Sequence, residues 1–236
     1  MSVHFSIITP SLGRRPKALA LAMESVATSL AYARGTGLQL EAEMLVGFDG
    51  HRPEVFDPPG FVRSFDFPFR GSFGNEIRDA LLKVARGERV LFLDDDNAFA
   101  PQALAVFLRH MAEDLVIARI DTSRAFAEPY LPRTLPSGER VAQGNVDPLC
   151  LSVRTEFVRN WGRGWENKGG YESDYLNILR YYRRAASVVF LDDVVGIYDA
   201  GRGLDETGVN PRQAVVCDVV RAGKELSSAA PWRTHG

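Results

Sequence analysis

The sequence predicts an α/β fold in which a mostly parallel central sheet has helices on both faces. Over residues 1–120, short apolar runs alternate with segments of helical periodicity, which is the order that a doubly wound sheet requires. Within this half, the apolar run 90–93 ends in three consecutive aspartates, as expected of a strand buried on both faces that ends in a ligand crevice. A chain of 236 residues is long enough for one such domain, and we predict a single domain over 1–236.

Each element of the first half follows from the spacing of its apolar residues. Strands are predicted where β-branched runs meet turn residues, and helices where apolar residues recur at helical spacing between a proline or serine and a glycine. The predicted elements are strand 3–9, helix 16–34, strand 38–48, a weak strand 61–65, helix 72–87, strand 89–93, a helix opening at Pro101, and strand 115–120.

The second half is less regular, with short apolar runs among prolines, glycines and arginines. Residues 161–170 contain four glycines and predict a mobile loop. The predicted elements are strand 148–153, helix 172–184 with Tyr175, Ile178, Leu179 and Tyr182 facing inward, strands 187–191 and 194–198, and a C-terminal helix and tail over 209–236.

Composition excludes several classes of protein. A net charge of -2 gives no electrostatic reason to expect a nucleic-acid partner. The two cysteines and four histidines are too scattered for a zinc site or a disulfide framework. The first residues lack the basic and apolar regions typical of a signal peptide, and no uninterrupted run of 18 apolar residues occurs, so neither a signal peptide nor a transmembrane segment is expected. The expected location is therefore cytoplasmic, with peripheral membrane contact left open.

The three aspartates at 94–96 point to a metal-dependent phosphate chemistry. Adjacent carboxylates repel one another unless a cation lies between them. Carboxylates one residue apart suit Mg²⁺ or Mn²⁺, which keep other coordination positions for water and substrate phosphates. A solvated acidic turn is the alternative. A P-loop is excluded, because its glycine and lysine pattern is absent.

Two segments, residues 5–11 and 74–97, resemble the nucleotide-binding half of family 2 glycosyltransferases of the GT-A fold. Asp94 and Asp96 fall on the D-x-D pair of the family and Arg78 on its arginine, whereas Asp79 replaces the usual asparagine. The resemblance implies a GT-A domain with a nucleotide-binding half at 1–120 and an acceptor-side half at 121–208.

The resemblance also implies roles for particular residues. Asp96 would hold Mn²⁺ or Mg²⁺ on the diphosphate, Asp94 would approach the ribose and Asp49 would face the base. The remaining nucleotide-binding candidates are Thr9, Pro10, Ser11, Arg14 and Arg78. Because side chains alternate along an extended backbone, Asp95 is expected to point away from this site.

The catalytic base is expected at the start of the helix predicted over 172–184. Aligned on Arg180, Asp174 falls on the aspartate that deprotonates the acceptor in inverting members of the family. Ser173 stands where the family has glutamate, so Glu172 remains a second candidate. Carboxylates are also favoured in a first helical turn by the helix dipole alone.

Aromatic residues and a turn complete the candidate site. Trp161, Trp165 and Tyr171 lie on and around the glycine-rich loop, where they would form an acceptor platform or lid, or pack in the core. Asp199 and Arg202 follow the last predicted strand, where relatives place a group on the metal or diphosphate, but the usual histidine is missing.

The expected function is therefore transfer of a sugar, with inversion, from a nucleotide-diphosphate sugar to a hydroxyl acceptor. A UDP-sugar is the expected donor, and the acceptor is an unknown glycan, lipid or small molecule. Two alternatives stay open. One is a catalytically silent binding protein on the same scaffold, and the other is a sugar-nucleotide nucleotidyltransferase, although the glycine-rich turn typical of that class is absent after strand one.

Overall fold

A computed structural model describes residues 3–205 of the protein. The fold is built around one mixed sheet. Its strands are β1 (Phe5–Ser11), β2 (Ala42–Asp49), β3 (Val62–Phe67), β4 (Arg89–Phe92), β5 (Ala98–Phe99), β6 (Leu115–Asp121), β7 (Tyr130–Leu131), β8 (Leu151–Arg154) and β9 (Val188–Ile197). The helices are α1 (Pro16–Gly35), α2 (Asn75–Val84), α3 (Ala103–Leu108), α4 (Thr155–Asn160) and α5 (Ser173–Arg184).

The order of the strands places a ligand crevice between β1 and β4. The sheet runs β3-β2-β1-β4-β8-β6-β9-β5, and β7 pairs with β6. β1 to β4 are parallel, β8 is antiparallel to both of its neighbours, and β9 is parallel to β6. The chain leaves β1 towards β2 and returns on the other side at β4. Right-handed crossovers then put α1 and α2 on opposite faces, and the crevice opens at the point of reversal.

Helix α1 is fixed to the sheet by small residues and buried hydroxyls. Ala18, Ala22 and Ala33 are almost completely buried, which allows close packing. Ser25 Oγ accepts a hydrogen bond from the Phe99 amide at 3.0 Å, and Ser29 Oγ accepts one from the Leu104 amide at 3.0 Å. The helix therefore holds β5 and the start of α3 in place beside Asp94, Asp95 and Asp96, which follow β4 and are called the aspartate turn below.

The prediction of an α/β fold with a mostly parallel sheet is confirmed, and the main differences lie in the second half. The two strands predicted at 187–191 and 194–198 are one strand, β9, with register shifts against β6 near Arg119. Residues 148–150 form a 3-10 turn rather than a strand, and α4, β5 and β7 were not predicted. In α5, Tyr181 is buried in place of Tyr182, which is 39% exposed.

Two further predictions concern the C-terminal segment and the possibility of a transmembrane helix. The C-terminal helix and tail predicted over 209–236 lie outside the described residues. Within 3–205, the helices are all too short or too polar to cross a bilayer.

We predict that Gly87→Ala destabilises the fold, because the added methyl group would meet main-chain atoms of β1. A Cβ at Gly87 would lie 2.4 Å from the Ser6 amide nitrogen and 2.6 Å from the Phe5 carbonyl carbon. The expected loss in the free energy of unfolding is about 1–3 kcal/mol, measured by urea denaturation. Gly35→Ala is the control: nothing lies within 4 Å of its Cβ, so unchanged or higher stability is expected there. Equal effects of the two substitutions would contradict the packing argument.

Candidate functional site

A cavity of about 810 Å³ opens at the carboxyl ends of the central parallel strands. This volume lies within the usual range of small-molecule sites. Its wall combines the ends of β1, β2 and β4 with the segment 143–148 and the start of α5. Of the candidates from the sequence, those that line it are Pro10, Ser11, Arg14, Asp49, Arg78, Asp94, Asp96, Glu172 and Asp174.

The aspartate turn differs from the sequence prediction at Asp95. β4 ends at Phe92 and the three aspartates follow in a turn, so the alternation of an extended strand does not apply to them. Asp95 is 1% exposed, lines the same cavity as Asp94 and Asp96, and accepts a hydrogen bond from Ser11 Oγ at 2.5 Å. The expectation that Asp95 points away from the site is therefore wrong.

Arg15 joins two of these aspartates. Its guanidinium forms ion pairs with Asp95 and with Asp96, one through each terminal nitrogen. Burial raises the pKa of Asp96 to about 7 against the opposing effect of Arg15, and the neighbouring aspartates raise it further. Arg15 thus offsets the negative charge of Asp95 and Asp96.

Arg78 connects the aspartate turn to the predicted base. Its side chain is buried, with Nη2 2.6 Å from Asp94 Oδ1 and Nη1 3.5 Å from Asp174 Oδ1. Nη1 also donates to the Phe73 carbonyl at 3.1 Å, and the guanidinium lies 5.3 Å from the centre of the Trp165 ring. Arg78 is therefore a fixed cation between two carboxylates of the cavity wall.

The two candidates for the base have different surroundings. Asp174 is half-buried, and burial raises its pKa against the opposing effect of Arg78, with Asp94 raising it further. Glu172 is exposed and accepts a hydrogen bond from Gln143 Nε2 at 2.8 Å. Both line the cavity. A raised pKa favours proton acceptance, so the surroundings of Asp174 suit a base better.

Of three predicted nucleotide-binding residues, Asp49 and Ser11 have defined side-chain hydrogen bonds at the cavity, whereas Thr9 does not line it. Asp49 accepts hydrogen bonds from the amides of Arg70 and Gly71 at 2.6 and 3.0 Å, and it therefore shapes the rim of the cavity. Ser11 Oγ, in addition to its bond to Asp95, accepts from the Gly13 amide at 3.0 Å. Thr9 is fully buried outside the cavity wall, and its hydroxyl has no hydrogen-bond partner in the described part of the chain.

The structure assigns Trp165 to the core, which corrects its predicted role at the acceptor platform. Trp165 is 3% exposed, its ring lies 4.7 Å from that of Phe92, and its Nε1 donates to Asn75 Oδ1 at 2.8 Å. Trp161 is 70% exposed but does not line the cavity. The side chain of Tyr171 is outside what the structure describes.

The glycine-rich loop 161–170 is tied to α5 by hydrogen bonds. Arg180 donates to the carbonyls of Gly162 and Gly164 at 2.8 Å each, and the Tyr181 hydroxyl donates to Gly164 at 2.6 Å. Asn177 exchanges two bonds with the main chain of Glu166. Instead of the freely moving loop that glycine content alone predicts, the structure has a segment held by side chains of α5.

Sequence reasoning missed Asp147, a cavity carboxylate. Asp147 Oδ1 accepts from the Leu149 amide at 2.9 Å and so caps the 3-10 turn at 148–150. Burial and the neighbouring Asp94 raise its pKa to about 8. The residue could have been recognised as a cap, because an aspartate before a proline commonly begins a turn, but its place in the cavity depends on distant contacts.

The turn after β9 closes over the aspartate turn. The Asp199 amide donates to Asn97 Oδ1 at 2.7 Å, and the Gly201 amide donates to the Asp96 carbonyl at 2.9 Å. Asp199 also pairs with Arg202, and neither side chain lines the cavity. Asp205 accepts from two amides in the first turn of α1, a contact that the sequence did not indicate.

The donor atoms in the cavity fit a hard divalent cation. Among the described residues, the lining includes seven carboxylates (Asp49, Asp94, Asp95, Asp96, Asp147, Glu172 and Asp174) against three arginines (Arg14, Arg15 and Arg78). Within 3–205, no three histidine, cysteine or acidic residues converge on one metal position. Mg²⁺ and Mn²⁺ need only one or two carboxylates when phosphates and water complete the coordination, so Asp96 satisfies this requirement.

Comparison with known proteins identifies the fold. No protein-family model and no curated protein matches the chain. Crystal structures of S. aureus TarS 1-349 match with TM-scores of 0.62 alone, 0.63 in complex with UDP and 0.59 in complex with UDP-GlcNAc. Identity is 16–18%, and the matches cover 83% of this chain and 58–60% of the TarS chains. This similarity confirms the predicted GT-A fold class, and the chain spans less than two thirds of the length of these TarS chains.

We predict that Trp165→Ala and Trp161→Ala differ sharply in stability. Removing a buried indole that packs on Phe92 leaves a cavity, and the expected loss in the free energy of unfolding is about 3–5 kcal/mol. The exposed Trp161 is expected to change stability by about 0.5 kcal/mol or less. Chemical denaturation measures both. A Trp165→Ala protein as stable as the wild type would contradict the assignment of Trp165 to the core.

We predict that Asp147→Asn raises stability at high pH. The pKa of Asp147 is raised from 3.8 to about 8, so between these values the folded form holds a proton that the unfolded form releases. The wild-type free energy of unfolding therefore falls as pH rises through this window. Asparagine keeps the capping oxygen and removes the titration.

The expected gain for Asp147→Asn at pH 8 is on the order of 1 kcal/mol, or about 2–4 °C in Tm, and it should vanish near pH 4. Thermal melts from pH 4 to pH 8 measure it. Asp57→Asn, in an exposed loop, is the control. A pH-independent difference between the wild type and Asp147→Asn would show that Asp147 is ionised like an ordinary carboxylate.

Proposed function

We propose that this protein is a glycosyltransferase that binds a nucleotide-diphosphate sugar and transfers the sugar to a hydroxyl acceptor. The observation that supports this most directly is the bridge from Asp94 through Arg78 to Asp174 across one cavity. Asp94, the proposed ribose ligand, and Asp174, the proposed base, both contact this one cation. The GT-A fold and the TarS complexes with UDP and UDP-GlcNAc support a nucleotide sugar, with UDP as the carrier.

The donor would lie between the ends of β1 and β4. Ser11, Pro10 and Arg14 border this part of the cavity and Asp49 shapes its rim. Asp94 accepts from Arg78 through Oδ1, and ribose hydroxyls could donate to the same carboxylate. The diphosphate would extend towards Asp96, so that the sugar reaches the side of the cavity where Asp147 and Asp174 lie.

In the proposed reaction, Asp174 takes the proton of the acceptor hydroxyl as its oxygen attacks the anomeric carbon. A bond forms between that oxygen and the anomeric carbon, while the bond from the anomeric carbon to the diphosphate oxygen breaks. The electron pair leaves with the nucleoside diphosphate. Because attack and departure are on opposite faces, one displacement inverts the anomeric carbon. The raised pKa of Asp174 matches the general-base role.

Arg78 has two parts in this proposal. It pairs with Asp94, the proposed ribose ligand, at 2.6 Å. Its 3.5 Å separation from Asp174 orients that carboxylate without a short hydrogen bond that would hold it permanently. A closer pair would stabilise ionised Asp174 and make it a weaker base. Arg78 is thus a positioning residue.

The proposed cofactor is Mn²⁺ or Mg²⁺, held by Asp96. When bound, such an ion neutralises charge that develops on the leaving diphosphate. An excess of carboxylates over arginines in the cavity wall supports this proposal, since an anionic donor would otherwise be repelled. In this proposal the acceptor, whether a glycan, a lipid or a small molecule, binds to cavity residues from the acceptor-side half of the chain.

We expect UDP and UDP-GlcNAc to bind in calorimetric titrations with Mn²⁺ and to bind at least about tenfold more weakly without it. Asp96→Asn should lose this metal dependence, because an amide is a weaker ligand and has no charge. Asp57→Asn, in an exposed loop, is the control. If neither these compounds nor any other nucleoside diphosphate binds in the presence of metal, the proposed function is wrong.

Asp174→Asn should separate binding from catalysis. We expect donor affinity to stay within about threefold of the wild type, while sugar release or transfer, followed by mass spectrometry, falls by about 100-fold or more. Glu172→Gln should keep most of the rate. The reverse pattern would move the base to Glu172, and donor binding with no turnover for any acceptor or for hydrolysis would favour a silent binding protein.

A further inference from the structure

Arg15 is the cation that accompanies the most deeply buried pair of carboxylates in the aspartate turn. Its side chain is 17% exposed, and those of Asp95 and Asp96 are 2% and 15% exposed. Nη2 bonds Asp95 Oδ1 and Nη1 bonds Asp96 Oδ2. Carboxylates this far from water need a compensating charge, and Arg15 provides it.

The two carboxylates differ in their exposure to solvent. Asp95 is bonded at both oxygens, to Arg15 through Oδ1 and to the Ser11 hydroxyl through Oδ2 at 2.5 Å. Asp96 is the more exposed of the two. A cation that enters from solvent therefore reaches Asp96 more easily, while Asp95 keeps its place beside β1.

A divalent ion and a guanidinium compete for Asp96. Both are positive, and at contact distance from one carboxylate they repel each other strongly. Resting on the proposed function, we propose that Arg15 is a stand-in cation that holds Asp96 when no donor is bound and moves to the donor diphosphate when a metal binds Asp96. Arg15 then controls the order of binding, because metal alone must displace it whereas metal with donor gives it a new anionic partner.

The diphosphate is a suitable destination for the guanidinium. The planar fork of arginine matches phosphate oxygens, and Arg15 lines the cavity immediately before α1. The main chain offers less there, since the amides of Lys17 and Ala18 already donate to Asp205 at 3.1 and 2.9 Å. A side chain must therefore do what helix amides do at many phosphate sites.

The test compares Arg15→Gln with Lys17→Gln. Both remove one positive charge near the start of α1, but Lys17 is exposed and does not line the cavity. Mn²⁺ binding is measured by electron paramagnetic resonance without nucleotide, and UDP binding by calorimetry at saturating Mn²⁺. We expect Arg15→Gln to bind Mn²⁺ alone about tenfold more tightly and UDP with Mn²⁺ about tenfold more weakly. Lys17→Gln should stay within about twofold of the wild type in both.

The opposite signs of the two effects distinguish a stand-in cation from a merely structural residue, whose loss would weaken both ligands together. Unchanged or weaker Mn²⁺ binding in Arg15→Gln overturns the proposal, and so does unchanged UDP binding. If Arg15→Gln does not fold, Arg15→Lys replaces it: the retained charge should leave Mn²⁺ affinity within about twofold of the wild type, and the lost fork should still weaken UDP binding. UDP binding by Arg15→Lys as tight as in the wild type overturns the proposal.

Failure of the proposed function gives a different result. A wild type that binds Mn²⁺ but no nucleotide contradicts the glycosyltransferase proposal, while the metal titration of Arg15→Gln still decides whether Arg15 competes for Asp96. A wild type that binds UDP with Mn²⁺, beside an Arg15→Gln protein of identical affinities, overturns the role of Arg15 alone.

Discussion

Neutralisation of clustered negative charge is the constraint on which the rest of the site depends. Three aspartates follow β4 at the edge where β1 ends, and further carboxylates face them across the cavity. Different groups offset the charges of these carboxylates. Arg15 and Ser11 contact Asp95, Arg78 contacts Asp94, and two main-chain amides donate to Asp49. These pairings join the ends of neighbouring strands, so the electrostatic requirement of the site also fixes its shape.

The first half of the fold could be predicted from sequence because its pattern is local. Apolar runs that end in turn residues define β1, β2 and β4, and the reversal of strand order then places their ends together. The position of Asp95 could not be predicted in this way. Alternation holds only while the backbone is extended, and β4 ends at Phe92, before the aspartates.

The second half was harder to predict because its structure depends on contacts between distant residues. Glycines at 161–170 indicate flexibility, yet Arg180 and Tyr181 hold their carbonyls. Whether Trp165 is a platform or a core residue is decided by Phe92 and Asn75, both more than 70 positions away. Asp147 similarly resembles a turn cap until the fold brings it into the cavity.

Arg78 and Arg15, which both line the cavity, are suited to different tasks. Arg78 is held by Asp94, the Phe73 carbonyl and the face of Trp165, and a cation bound on three sides has little freedom to follow a ligand. Arg15 has a larger exposed fraction, and one of its partners is Asp96, the proposed metal ligand. Arg78 can therefore keep the geometry between Asp94 and Asp174 constant, while in our proposal Arg15 exchanges its partner when metal and donor bind.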